Sequence, residues 1–156
     1  MKYSGIYKSP IGDIYVTADN TAVLSVGFKR FEFLNNLQNN IIKSAIKQLN
    51  EYFLGRRKVF SLPLNPLGTD FQKAVWKELQ NIPYGETRTY KDIAAAVGNP
   101  KACRAIGNAN NKNPIGIVIP CHRVIGSNNK LIGYAGGLDK KQMLLNLENE
   151  NKCKFM

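Results

Sequence analysis

The chain has 156 residues, 22 Lys+Arg against 11 Asp+Glu, a net charge of +11 and a pI near 9.7. With 44% hydrophobic and 21% charged residues it has the make-up of an ordinary folded protein, which excludes a disordered or collagen-like chain. The basic excess, nine against four in residues 1–63 and thirteen against seven in residues 64–156, belongs to the body and not to a tail, so it implies a field that attracts polyanions.

In chain order, "IGDIYVTAD" and "TAVLSVGF" alternate like strands around Asp19-Asn20, and that turn chemistry predicts a hairpin. From Phe33 to Leu54 the apolar residues Leu34, Leu37, Ile41, Ile42, Ala45, Ile46, Leu49 and Phe53 recur at helical spacing, which predicts a helix packed on a small sheet. "VFSLPLNPLG", with Pro63, Pro66 and Gly68, reads as a strand running into a linker. It divides the chain into a domain of residues 1–67 and a second of residues 68–156.

Beyond this boundary the texture changes to short capped helices. Thr69 and Gln72 form a capping box, and Phe71, Val75, Leu79 and Ile82 line one face until Pro83 and Gly85 stop the helix. Thr89 caps a helix over Tyr90–Val97 that Gly98 ends. Asn99, with Pro100 at the first position, predicts another running through Ala109. Two short helices around a tight turn make a helix-turn-helix candidate. On the second, Lys101 and Arg104 stand among Ala102, Ala105 and Gly107, a face that suits close approach to phosphates and bases as well as it suits a packed helix with a solvated rim. "PIGIVIP" predicts a short buried strand, "VIGSNNKLIGYAGG" a hairpin or loop, and a last helix starts at Asp139.

Cys103, Cys121 and Cys153 are an odd number without a close pair, which fits reduced thiols better than disulfides. With one histidine, a metal site lacks ligands. No apolar run nears the ~20 residues of a membrane span, and "MKYSGIYKSPIGDIYV" has no signal layout; the reading predicts a cytoplasmic protein without metal, cofactor or membrane partner.

The stretch "IPCHRVIG" sets the only histidine, His122, between Cys121 and Arg123. A thiolate is the attacking form of cysteine, and a base or cation beside it favours that form. In a regular strand, however, adjacent side chains face opposite ways, so the backbone must turn here or a water must relay the proton. Glu148 on the last helix is a candidate to orient the imidazole. The competing reading makes Cys121 a small buried hydrophobe and His122 a core residue.

"NPIGIVIPCHRVIG", with "TYKDIAAAVGNPKACRAIG" ahead and "GYAGGL" behind, resembles the O6-alkylguanine-DNA alkyltransferases (methylated-DNA–protein-cysteine methyltransferases), densely over residues 68–150 and mainly in layout before that. The resemblance implies an α+β fold: a small ribonuclease-H-like sheet-plus-helix domain followed by a winged helix-turn-helix-like domain. It implies irreversible, single-turnover transfer of an alkyl group from O6-alkylguanine, and from O4-alkylthymine, in duplex DNA to Cys121 of a cofactor-free monomer. His122 would act as base through water, Glu148 would orient it, Asn113 would brace the segment before the cysteine, and Tyr90 would assist the leaving guanine. Arg104 would fill the gap left by the flipped base, with Lys101, Ala102 and Arg123 at the DNA; Tyr134, Val124, Ala135, Gly136 and Lys141 would belong to the pocket. Ala135 stands where some relatives have a serine, and the zinc ligands that some carry in the first domain are absent. A non-catalytic helix-turn-helix or lesion-sensing protein and a cysteine hydrolase remain alternatives; the first needs no Cys121, and the second would turn over.

Overall fold

The computed structural model describes residues 1–30 and 37–152. Strands β1 (Tyr3–Ser9), β2 (Gly12–Ala18) and β3 (Val23–Gly27) form an antiparallel sheet in that order. Gly12 closes the β1–β2 turn at φ +124°, where a side chain would be strained. The β2–β3 hairpin turns on Asp19, whose carboxylate accepts from the amides of Thr21 and Ala22, both at 2.8 Å. Ile14, Val16 and Ala18 alternate onto one face and are fully buried. That face receives Ile42, Ala45, Leu49 and Tyr52 of α1 (Asn40–Phe53).

The helix begins later than the periodicity from Phe33 predicts. The Asn39 side chain accepts from the Ile42 amide and caps it, while the Leu37 carbonyl accepts from the Ser4 amide and is drawn to the edge of β1. Phe33 and Leu34 lie outside the described residues, as does Cys153.

The predicted strand "VFSLPLNPLG" reduces to one parallel bridge, Leu64 with Val23. Pro63 and Pro66 have no amide proton to extend a ladder. A second parallel bridge joins Val26 to Ile115. The free edge of β3 is thus covered twice, once by the connecting segment and once by the chain that leads to Cys121.

The second half contains α2 (Asp70–Leu79), α3 (Tyr90–Ala96), α4 (Cys103–Asn111) and α5 (Leu138–Asn151), with two-residue strands β4 (Arg88–Thr89) and β5 (Val124–Ile125) paired in parallel. Thr69/Gln72 and Thr89/Asp92 both form capping boxes. Gly98, at φ +82°, turns the chain from α3 towards α4. The predicted start of α4 at Asn99–Pro100 is corrected: the Asn99 carbonyl accepts from the Ala102 amide in a separate turn, and the helix starts at Cys103. "PIGIVIP" is likewise a compact turn and not a strand, since Ile117 has φ +69° and the Ile119 amide donates back to Ile115 at 3.0 Å. Among the described residues no helix is long and apolar enough to cross a membrane.

Candidate active site

The turn Ile115–Ile119 is built around Asn113. Its amide nitrogen donates to the carbonyls of Ile119 (2.8 Å) and Ile115 (3.3 Å), and its oxygen accepts from the Ile115 amide (3.0 Å). Three buried isoleucines, Ile115, Ile117 and Ile119, anchor the same turn in the core. Pro120 then leads into a 3₁₀ turn, Cys121–Arg123, so the backbone does turn here and the strand geometry that would separate Cys121 from His122 does not apply. Asn110, on α4, donates to the Cys121 carbonyl at 3.3 Å.

Cys121 is 4% exposed. Burial pushes its thiol above the ordinary range; the Asn113 side chain, the Lys141 charge and the amides of Cys121 and His122 work against that. The expected resting thiolate is therefore not what this environment favours. Burial favours the thiol form of the sulfur.

The next residue in the 3₁₀ turn is a candidate base. Buried His122 places Nε2 2.6 Å from Oε2 of Glu148. Glu148 is 1% exposed yet receives four further hydrogen bonds: Tyr52 Oη at 2.6 Å, the Gly85 amide at 3.1 Å, Arg123 Nε at 2.7 Å and Arg123 Nη2 at 3.0 Å. Burial alone would raise its pKa, but His122 and the Arg123 fork outweigh burial and hold the carboxyl far below the usual carboxylate range. For His122, burial dominates and lowers the pKa, against the pull of Glu148. A neutral imidazole facing a carboxylate keeps its proton on Nε2. Nδ1 is then an acceptor; it is buried and makes no hydrogen bond among the described residues. A neutral base with a free lone pair can take a proton from a neighbouring thiol, directly or through one water.

Cys121 opens on a cleft of about 250 Å³ lined by Val26 and Phe28 from β3 and its exit, by Asn113 and Gly116 from the turn, and by Tyr134, Ala135 and Gly136. A methyl group at Gly136 would meet Phe28 at 2.8 Å and Tyr134 at 2.9 Å, so glycine lets the wall close there. Val124 and Lys141, expected in the pocket, are not among the residues that line the cleft. Lys141 is fully buried, with Nζ donating to the carbonyls of Val124, Ile132 (3.0 Å) and Gly133 (3.2 Å); burial lowers its pKa to about 8, with Cys121 opposing. It ties the pocket loop to α5. Tyr90 donates to the Ile132 carbonyl at 2.6 Å and lies across Gly107 of α4.

Outside the cleft, α4 exposes Arg104, Ala105 and Asn108, with Lys101 ahead of it and Ala102 half-buried. Arg123, expected at the DNA surface, is corrected: it is 6% exposed, forked on Glu148, bonded to the Ile82 carbonyl at 2.7 Å and covered by the Tyr84 ring. A buried carboxylate so close needs a buried cation, and this is the one beside it in the 3₁₀ turn. Sequence reasoning missed Tyr52, Phe28 and Asn110. Tyr52 and Phe28 come from the first 67 residues, where no chemical motif pointed, and Asn110 is one of three asparagines within four residues.

Residues 70–150 match the family described as "6-O-methylguanine DNA methyltransferase, DNA binding domain", and residues 2–66 match its "ribonuclease-like domain". The chain is 51% identical over 152 residues to a methylated-DNA–protein-cysteine methyltransferase of Methanosarcina acetivorans, covering 94% of this chain and 97% of that one. The crystal structure of Mycobacterium tuberculosis O6-methylguanine methyltransferase superimposes with a TM-score of 0.88 at 40% identity, over 97% of this chain and 94% of that one. The Mycobacterium tuberculosis OGT complex with DNA gives 0.88 at 41% identity, over 96% and 94% of the two chains.

Proposed function

Because the chain belongs to the 6-O-methylguanine DNA methyltransferase family, we propose that its DNA repair reaction, a stoichiometric transfer of an alkyl group from DNA to one of its own cysteines, takes place at Cys121 with O6-alkylguanine as the substrate. DNA is its partner. The observation that carries the assignment is the buried Cys121 opening on a cleft, with neutral His122 held through Nε2 by Glu148 and Nδ1 left free.

In the step itself the sulfur lone pair forms the S–C bond as the O6–C bond breaks, and that bond's electrons return to the purine. One proton leaves the thiol for His122 Nδ1, and one is delivered to the departing guanine by the Tyr90 hydroxyl, which gives up its bond to the Ile132 carbonyl to do so. The thioether has no route back, so each chain reacts once. A guanine stacked in a duplex cannot reach a buried sulfur, so it is turned out of the helix at a cost of about a few kcal/mol. Arg104, with Lys101 and Ala102 beside it on the exposed side of α4, fills the space it leaves. Tyr134, Ala135 and Gly136 hold the extruded base, while Lys141 and Val124 support the pocket without lining it. The protein acts as a cytoplasmic monomer, with residues 1–67 and 68–156 as its two domains, and O4-alkylthymine is a second substrate.

Two measurements test this reading. Incubation with a duplex containing O6-methylguanine should add the mass of one methyl group per chain, on Cys121, and Cys121→Ser should add none; a gain that survives Cys121→Ser, or repeated turnover, overturns it. Arg104→Ala should slow repair of the duplex roughly tenfold or more while leaving the reaction with free O6-benzylguanine within about twofold, since a wedge only offsets the cost of base extrusion. Equal losses on both substrates would remove Arg104 from that role.

A further inference from the structure

Glu148 Oε2 carries one partner that neither the motif nor the helix-turn-helix supplies. Tyr52, at the end of α1, donates to it at 2.6 Å across 96 residues of sequence. We propose that Tyr52 is a positioning residue of the transfer reaction: its hydroxyl fixes the oxygen that faces His122 and tempers that oxygen's pull on the imidazole proton, so that His122 stays neutral with Nδ1 unprotonated. The inference rests on the reading above, in which Cys121 loses its proton to His122.

The geometry gives Tyr52 few other duties for its hydroxyl. The ring is fully buried and packs edge-on against Phe53 (5.2 Å) and Tyr84 (6.1 Å) and tilted against Phe60 (5.5 Å), and phenylalanine would satisfy all three contacts. The hydroxyl alone reaches the carboxylate. His122 Nε2 meets the same oxygen at the same distance, 2.6 Å, so the two donors compete for one charge. A donor to the charged form of a carboxylate lowers its proton affinity. Without Tyr52 Oη, Oε2 keeps only His122 and Arg123 Nη2, its negative charge acts more strongly on the imidazole, and the imidazolium form gains. The charged and titratable groups around the pair are Tyr52, Tyr84, Tyr134, Arg123, Lys141 and Cys121. Of these, Arg123 and Lys141 disfavour the imidazolium, and a thiol adds no charge.

The chain has a single histidine, so the titration of His122 can be followed without assignment. In Tyr52→Phe, the imidazole should titrate at higher pH than in the wild type by roughly half a unit or more. The acid limb of the pH profile for single-turnover methyl transfer should move the same way, so that the rate on that limb falls roughly threefold for each half unit while the rate on the alkaline plateau changes little. Phe60→Leu loosens the same ring cluster and should leave both the titration and the limb in place. Superimposable profiles for Tyr52→Phe and wild type, or the same displacement in Phe60→Leu, would overturn the inference. Failure of the wild type to take up methyl would instead overturn the reading on which it rests.

Discussion

Glu148→Gln is expected to cost about 3–5 kcal/mol of folding stability, the range for breaking a buried ion pair by removing one partner. For a chain of this size that lowers Tm by roughly 6–20 °C. Five donor groups converge on the two carboxylate oxygens. A glutamine offers one acceptor and turns an NH2 group towards the rest, so Arg123 is left buried without its counter-charge. Transfer should fall by about 10²–10⁴-fold, the contribution typical of a positioned general base, because the charge that holds the proton of His122 on Nε2 is gone and the single remaining acceptor is contested by the other donors. Thermal denaturation and single-turnover mass measurements check the two halves; a Tm within about 2 °C of wild type would refute the buried-pair argument.

The pH dependence follows with a definite sign. Glu148 has a depressed pKa in the folded chain. Its contribution is complete above the unfolded value of about 4.3 and is lost as pH falls from there towards the folded value. His122 is depressed too, by burial. The unfolded chain takes up that proton first, so stability also declines as pH drops below about 6.5. Both effects make the wild type acid-sensitive, and Glu148→Gln should show a flatter Tm profile below about pH 4.5.

Trp76→Ala is the second large effect, at about 3–5 kcal/mol and a Tm lower by roughly 6–20 °C. Trp76 is 1% exposed on α2, and its indole nitrogen donates to the Ala109 carbonyl of α4 at 2.8 Å. It is the bracket that sets α4 against α2. The ring also fills the space beside Gly68, where a methyl group would meet it at 2.5 Å. Alanine leaves a cavity and removes the indole donor to Ala109. Trp76→Phe should recover more than half of the lost stability, because it restores most of the buried area but not the hydrogen bond. At temperatures where Trp76→Ala is still folded, repair of duplex DNA should suffer more than reaction with a free base, since α4 carries Arg104. Calorimetry against both substrates measures this; an unchanged Tm would show that the site collapses without loss.

What could be read before any coordinates was whatever is decided within a few residues. The Thr69/Gln72 capping box, the cap at Thr89, the stop at Gly98 and the clustering of Cys121 with His122 depend on spacings of one to four positions, and local backbone chemistry settles them. The partner for His122 was also visible, because Glu148 sits where the family resemblance implies it, and its Oε2 lies 2.6 Å from the imidazole. The strand readings of "VFSLPLNPLG" and "PIGIVIP" failed for a different reason. Their β-branched and apolar residues report burial, and both segments are indeed drawn onto the edge of β3, but the prolines and the positive φ of Ile117 allow one bridge each and no ladder. Arg123 went astray because charge in a basic chain suggests the surface, whereas a buried carboxylate 25 residues away claims it. Tyr52 and Phe28 belong wholly to the tertiary level. Nothing near them in the chain carries chemistry, and they join the site because docking the first sheet and helix onto the second half brings a hydroxyl to Glu148 and a ring to the wall of the cleft.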